Sequence, residues 1–241
     1  KGTLNVQALK TTIDGTSFDN QGTLSFGSLA IKSGSISNAE SAELTVVDAT
    51  VTGGQVTNAG ALTTTTLTVQ GGKVENAGKG VLDANTITIE KNGVLNTTYT
   101  QDTFKWKKIT VADNGVLNLD ALNSRHDGQK IGSKDKDGNV LAGDRLLINA
   151  GTINLAGGEL QVAGTKYEGD LKIGRSETKA DITVTSDYSF NKVEFGSSKK
   201  VTTGDNTAST LTIGSDDKTG KLTIADLDLT YGAVTVNDDS S

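Results

Sequence analysis

A right-handed parallel β-helix, three-sided and with about twelve turns of ~20 residues, is the fold class this all-β sequence predicts. Three observations predict it. A short unit, apolar-x-apolar with a further apolar residue seven positions after the first, recurs at Leu29/Ile31/Ile36, Ala49/Val51/Val56, Leu67/Val69/Val74, Ile87/Ile89/Val94 and Ile109/Val111/Val116, with starts 20, 18, 20 and 22 residues apart. Each copy places an Asn two residues after its last apolar position, at Asn38, Asn58, Asn76, Asn96 and Asn118. The segments alternate with period two, are rich in β-branched residues and are separated by Gly, Asn and Asp, which reads as short strands and turns.

Strands at this spacing fit an antiparallel sandwich or a parallel coil. Copies of one strand–turn–strand unit in phase favour the coil, in which each turn stacks on its equivalent. Handedness follows by exclusion. The six-residue phase of left-handed coils and the Asp-bearing glycine nonapeptides of calcium rolls are both absent. A further copy at Leu146/Ile148/Ile153 keeps the seven-residue offset, with Asn154 one position early. Toward the C-terminus, Leu171-Lys172-Ile173-Gly174, Val193-Glu194-Phe195-Gly196 and Leu211-Thr212-Ile213-Gly214 repeat at 22 and 18 residues. Leu24-Ser25-Phe26-Gly27 has the same form, and Ile182-Thr183-Val184 and Leu222-Thr223-Ile224 fall between. At a strand spacing of ~4.8 Å, twelve turns make a rod of roughly 55–60 Å. An Asn at one place in every turn either bonds its amide to the Asn above and below or supplies left-handed turn geometry.

Two segments break the rhythm, residues 97–108 and 123–145, inside what otherwise reads as one unit spanning 1–241. The first holds Tyr99, Phe104, Lys105, Trp106, Lys107 and Lys108. The second is charged and Gly- and Asp-rich, and is a loop leaving the coil or two degenerate turns.

Composition bounds the function. Apolar residues are 34% and aromatics 4% of the 241 residues, which suits a thin core threading a rod better than a compact domain. There is no Cys, excluding disulfides and thiolate metal sites, and no Pro, so 29 Gly together with Asn and Asp must make the turns. A net charge of −6 argues against nucleic acid as partner. No 18-residue apolar run is present to cross a membrane. The absence of Met at position 1 leads to the expectation of a fragment of a longer chain.

Repeats such as Leu67-Thr-Val-Gln-Gly-Gly-Lys-Val-Glu-Asn76 and Ile109-Thr-Val-Ala-Asp-Asn-Gly-Val-Leu-Asn118 resemble the passenger domains of bacterial type V autotransporter adhesins, of the AIDA-like, self-associating type. The likeness is one of repeat style over roughly residues 20–236. It implies export through the outer membrane, folding at the cell surface, and attachment, aggregation or biofilm formation without catalysis. Implied partners are a host glycan or matrix protein, or the same protein on another cell. No membrane insertion by this chain and no cofactor are implied. The Gly-Asp-Ser-Gly site of autotransporter proteases is absent.

Candidate sites are few. The segment Tyr99, Phe104, Lys105, Trp106, Lys107, Lys108 is the candidate ligand site, since exposed rings stack on sugars and Lys meets sulfate or carboxylate. The competing reading is a structural flap over the coil. His126, between Arg125 and Asp127, has no rigid partners for a triad. Asp135-Lys-Asp137-Gly138-Asn139 starts like a calcium loop but has Val140 and Leu146 where the turn Gly and bidentate Glu belong. Asp216-Asp217 and Asp238-Asp239 are neighbours in sequence and, on a strand, point to opposite faces. They do not make the facing carboxyl pair of a glycosidase. The run Thr63–Thr68 offers a hydroxyl face for self-association, without the Thr-x-Thr in every turn of ice-binding solenoids. No residue is expected to be catalytic and none to bind metal. The leading expectation is an adhesin. A passive stalk is the alternative, with a polysaccharide lyase or hydrolase behind it.

Overall fold

The computed structural model describes residues 2–6, 10–98, 103–120, 145–148, 151–162, 164–174, 180–195, 209–215, 218–229 and 232–237. Among them every regular element is a strand, and the strands stack as a β-solenoid. The first sheet contains β1 (Thr3–Val6), β2 (Thr11–Ile13), β4 (Thr23–Ile31), β6 (Glu43–Val51), β8 (Ala61–Gln70), β10 (Val81–Glu90), β12 (Phe104–Ala112), β15 (Gly151–Ala156), β19 (Ala180–Val184), β21 (Ser209–Ile213) and β23 (Gly232–Val236), all parallel. The second contains β3 (Thr16–Asn20), β5 (Gly34–Asn38), β7 (Gln55–Asn58), β9 (Lys73–Asn76), β11 (Val94–Thr98), β13 (Val116–Asp120), β16 (Glu159–Val162) and β17 (Thr165–Lys166). The third contains β14 (Arg145–Ile148), β18 (Asp170–Ile173), β20 (Asp187–Phe195) and β22 (Lys221–Asp228).

The long strands of the first sheet each supply two sides of the coil. In β4, β6, β8, β10 and β12 the inward alternation breaks once, where two successive residues face out. The strand register skips Gly27, Val47, Thr65, Asn85 and Lys107 at these corners. Before each corner the inward residues are, for example, Leu44 and Val46, and after it Ala49 and Val51. The second sheet makes the third side. Inward side chains are mostly Leu, Ile and Val, each stacked on its counterpart one turn away. Full burial of each stabilises by about 1.5–3 kcal/mol. The turns between sides lie tight on one another: a Cβ on Gly72 would stand 2.6 Å from Val51 Cγ1.

The coil has about eight turns, fewer than the twelve expected from length. The reason is that later turns are longer. Ile109, Ile153, Ile182, Leu211 and Val234 are successive partners in the first sheet, which makes the steps 44, 29, 29 and 23 residues. At ~4.8 Å per turn the stack is roughly 40 Å long.

Unequal turns also regroup the late repeats. Leu146 and Ile148 belong to the third sheet, opposite Leu171 and Ile173, whereas Ile153 pairs with Ile109 in the first. They are therefore not one copy of the early unit. Leu171 and Val193 are partners in the third sheet, but Leu211 joins Ile182 in the first. The apolar-x-apolar signature marks any inward strand and does not distinguish one side of the coil from another.

Residues 104–108 are within the coil and do not leave it. Phe104 occupies the inward place of Leu82 one turn below, and Trp106 that of Ala84. Residues 99–102 and 121–144 lie outside the described residues, and with them Tyr99, His126 and the Asp135–Asn139 segment.

Candidate functional site

Three features of the coil bear on function: an internal Asn ladder, the outward-facing surfaces of the first sheet, and a groove beside a hairpin.

The ladder lies inside the coil. Asn20 Nδ2 donates to Asn38 Oδ1 (2.8 Å), Asn38 Nδ2 to Asn58 Oδ1 (2.7 Å), and Asn58 Nδ2 to Asn76 Oδ1 (2.6 Å). Each amide also reaches a strand carbonyl: Asn20 that of Glu43, Asn38 that of Ala61, Asn58 that of Val81. Asn76 closes the run by donating to Thr97 Oγ1 (3.3 Å) and to the Gly80 carbonyl. Asn96 and Asn118 do not join it. Leu95 aligns with Val74 and Thr97 with Asn76, so Asn96 faces outward beside Glu75.

The cause is one extra residue in the turn. Val69 to Val74 spans five positions, whereas Ile89 to Leu95 and Val111 to Leu117 span six. Lys91 (φ 52°), Asn92 (φ 66°) and Asn114 (φ 60°) take left-handed conformations in the longer turns. Asn118 instead donates to Asn96 Oδ1 (3.3 Å) on the outer surface and accepts a bond from the Gly164 N–H (2.8 Å). Of the expected set, Asn38, Asn58 and Asn76 are thus joined internally. Asn20 is a member that the repeat did not reveal, because its strand lacks the preceding unit.

The candidate ligand segment divides. Phe104 is 2% exposed, so its ring has no open face for a sugar. Trp106 is half-buried against the core, 4.6 Å from the Phe104 ring centroid. A Cβ on Gly151 would stand 2.7 Å from the indole Nε1. Lys105, Lys107 and Lys108 are exposed. Lys107 sits at the corner, with Lys105 and Lys108 on the sides that meet there, so the three ammonium groups stand on a convex ridge. Asp83 is the register partner of Lys105 one turn below.

The outward face after the corner carries a column of hydroxyls interrupted once by the amide of Asn154. Thr50, Thr68, Thr88, Thr110, Asn154, Thr183, Thr212 and Thr235 are successive register partners. The flanking column runs Asp48, Thr66, Thr86, Lys108, Thr152, Asp181 and Thr210, hydroxyls interrupted by charges. Of the run Thr63–Thr68, only Thr66 and Thr68 belong to this array; Thr64 is buried in the core, and Thr63 and Thr65 lie before and at the corner.

The third feature had no signal in the repeats. Strands β16 and β17 form the one antiparallel strand pair among the described residues, turning at Gly164 (φ 77°). The second sheet ends at this hairpin, and a groove of about 540 Å³ opens between the turns of Asn92 and Asn114 and the start of β20. Glu159, Lys166, Ser186 and Asp187 also line it. Lys166 Nζ lies 2.7 Å from Glu168 and 4.9 Å from the Tyr188 ring centroid. The Lys166 ammonium, by its bond and its charge, holds the Glu168 carboxyl below the usual carboxylate range. Burial pushes the Tyr188 phenol up. Its hydroxyl donates to the Leu160 carbonyl (3.1 Å), with the Tyr167 carbonyl at 3.2 Å. These contacts fix the hairpin on the coil.

Comparison with known proteins found no match to a family model, a curated protein or a solved structure.

Proposed function

We propose that this chain is an adhesive rod of a bacterial surface protein, an autotransporter-type passenger exported through the outer membrane. It attaches its cell to host glycans or matrix, or to copies of itself. The observation that carries the reading is the ridge of Lys105, Lys107 and Lys108 on an otherwise acidic chain. Each Lys is exposed, and the backbone under them is pinned by the Phe104–Trp106 pair. Ammonium groups held on a rigid strand suit the sulfates and carboxylates of matrix glycans. Single contacts of this kind are weak, and many rods on one cell add by avidity. The Thr column supports the self-associating branch, since rows of short hydroxyls can face the same rows of a second rod.

A solid-phase panel tests this, with sulfated glycosaminoglycans, matrix proteins and the chain itself immobilised. Saturable, salt-sensitive retention on a sulfated surface, lost in the Lys105→Ser/Lys107→Ser/Lys108→Ser variant, is the expected result. Retention on no surface would favour the second reading, a passive stalk. That reading draws on the unbroken parallel register of the first sheet from β4 to β23.

A further inference from the structure

The geometry points to the groove beside the β16–β17 hairpin as a binding site for a neutral oligosaccharide. The inference deepens the adhesive reading and rests on it for its setting, but uses none of the same residues.

The groove is concave and large enough for two or three sugar rings. Its wall chemistry selects the ligand. Asn92 and Asn114 bring paired amide donors and acceptors, and Glu159 and Asp187 bring carboxylate acceptors. Vicinal hydroxyls, which donate and accept at adjacent atoms, satisfy both kinds of group. Anionic ligands are disfavoured. The two carboxylates outnumber Lys166, and that ammonium is already engaged by Glu168 at 2.7 Å. Apolar ligands find little surface, because Tyr188 is 5% exposed and lies under Lys166.

The walls are also preorganised. Asn92 and Asn114 have φ of 66° and 60°, conformations set by the lengthened turns. The hairpin wall is tied down by Asn118 through the Gly164 N–H and by Tyr188 through the Leu160 carbonyl. The register slip that removed Asn96 and Asn118 from the internal ladder is therefore the same change that builds the groove. It lengthens the turns bearing Asn92 and Asn114 and turns Asn118 outward to the hairpin.

The left-handed conformations permit a clean test. Glycine adopts φ near 60° without strain, so Asn92→Gly/Asn114→Gly deletes both amides and keeps the backbone. The full chain is applied to an array carrying neutral hexose and N-acetylhexosamine oligosaccharides beside sulfated and sialylated ones. The best neutral glycan is then titrated by calorimetry. Expected is saturable binding to a neutral glycan, weakened at least tenfold in the double Gly variant at unchanged circular dichroism and melting temperature. It is expected to be unchanged in the Lys105/Lys107/Lys108→Ser variant. Binding of no neutral glycan, or neutral binding indifferent to the double Gly variant, overturns the site. Binding confined to sulfated or sialylated glycans overturns the ligand class. Loss of sulfated binding in the Lys variant alone bears only on the adhesive reading.

Discussion

Replacing Asn58 by Ala removes the middle rung of the buried ladder, and the structure sets the size of the effect. Asn58 is fully buried. Its amide donates to Asn76 Oδ1 and the Val81 carbonyl and accepts from Asn38 Nδ2. Three bonds at about 1 kcal/mol each are lost. Asn76 Oδ1 is left buried without its donor, which costs a further ~1–3 kcal/mol, partly offset if a water enters. The expected loss is about 3–5 kcal/mol. Asn96→Ala is the matched control. That side chain is half-buried on the outer surface and accepts one bond of 3.3 Å, so its removal costs under about 1 kcal/mol. Urea denaturation followed by far-ultraviolet circular dichroism reads both variants. Asn58→Asp refines the test, because a buried carboxylate cannot donate to Asn76 or Val81; its destabilisation eases as acid protonates it. Equal losses for Asn58→Ala and Asn96→Ala would refute the ladder as an internal support.

Further outcomes follow from the same structure. Phe104→Ala empties a core position and is expected to cost about 3–5 kcal/mol, with neutral-glycan binding at the hairpin groove by the folded fraction unchanged. A binding defect at full stability would mean that the ring is exposed after all. In Gly80→Ala the new Cβ falls 2.3 Å from the Asn58 carbonyl oxygen, so two turns must separate locally and the melting temperature drops. A variant as stable as the parent would show that the turns are not in contact there. Tyr188 has a raised pKa, so its contribution is complete below the ordinary tyrosine value of about 10 and is lost as pH rises beyond it. Tyr188→Phe is expected to be about 1 kcal/mol less stable at pH 7 and to lose less stability between pH 10 and 12, measured by urea midpoints across that range.

The solenoid was legible because stacking demands an inward residue at the same place in every turn. Leu29, Ala49, Leu67, Ile87 and Ile109 announce that column directly. The slip after Ile89 was hidden, because Val94 keeps the seven-residue offset while Leu95, its neighbour, is the residue that turns inward. Either would serve as a strand residue, and only the left-handed Lys91 and Asn92 decide between them. The late turns were misassigned for a related reason. Unequal steps of 29 and 23 residues place Leu171 and Leu211 on different sides despite identical local patterns. Lys105, Lys107 and Lys108 were legible as a basic cluster, but their exposure and the burial of Phe104 depend on which strand phase continues from Leu82. The groove was not legible at all. Asn92, Asn114, Glu159 and Asp187 are brought together by three turns of coil and a hairpin that breaks the repeat.

The adhesive role itself is tested most directly with beads coated in the chain and settled under flow onto three surfaces. These are sulfated glycosaminoglycan with matrix protein, a neutral-glycan layer, and a layer of the same chain. Saturable retention on at least one is expected, reduced by high salt where the Lys ridge is responsible. Retention on none, with the beads still carrying folded protein, would contradict it and leave the coil as a stalk.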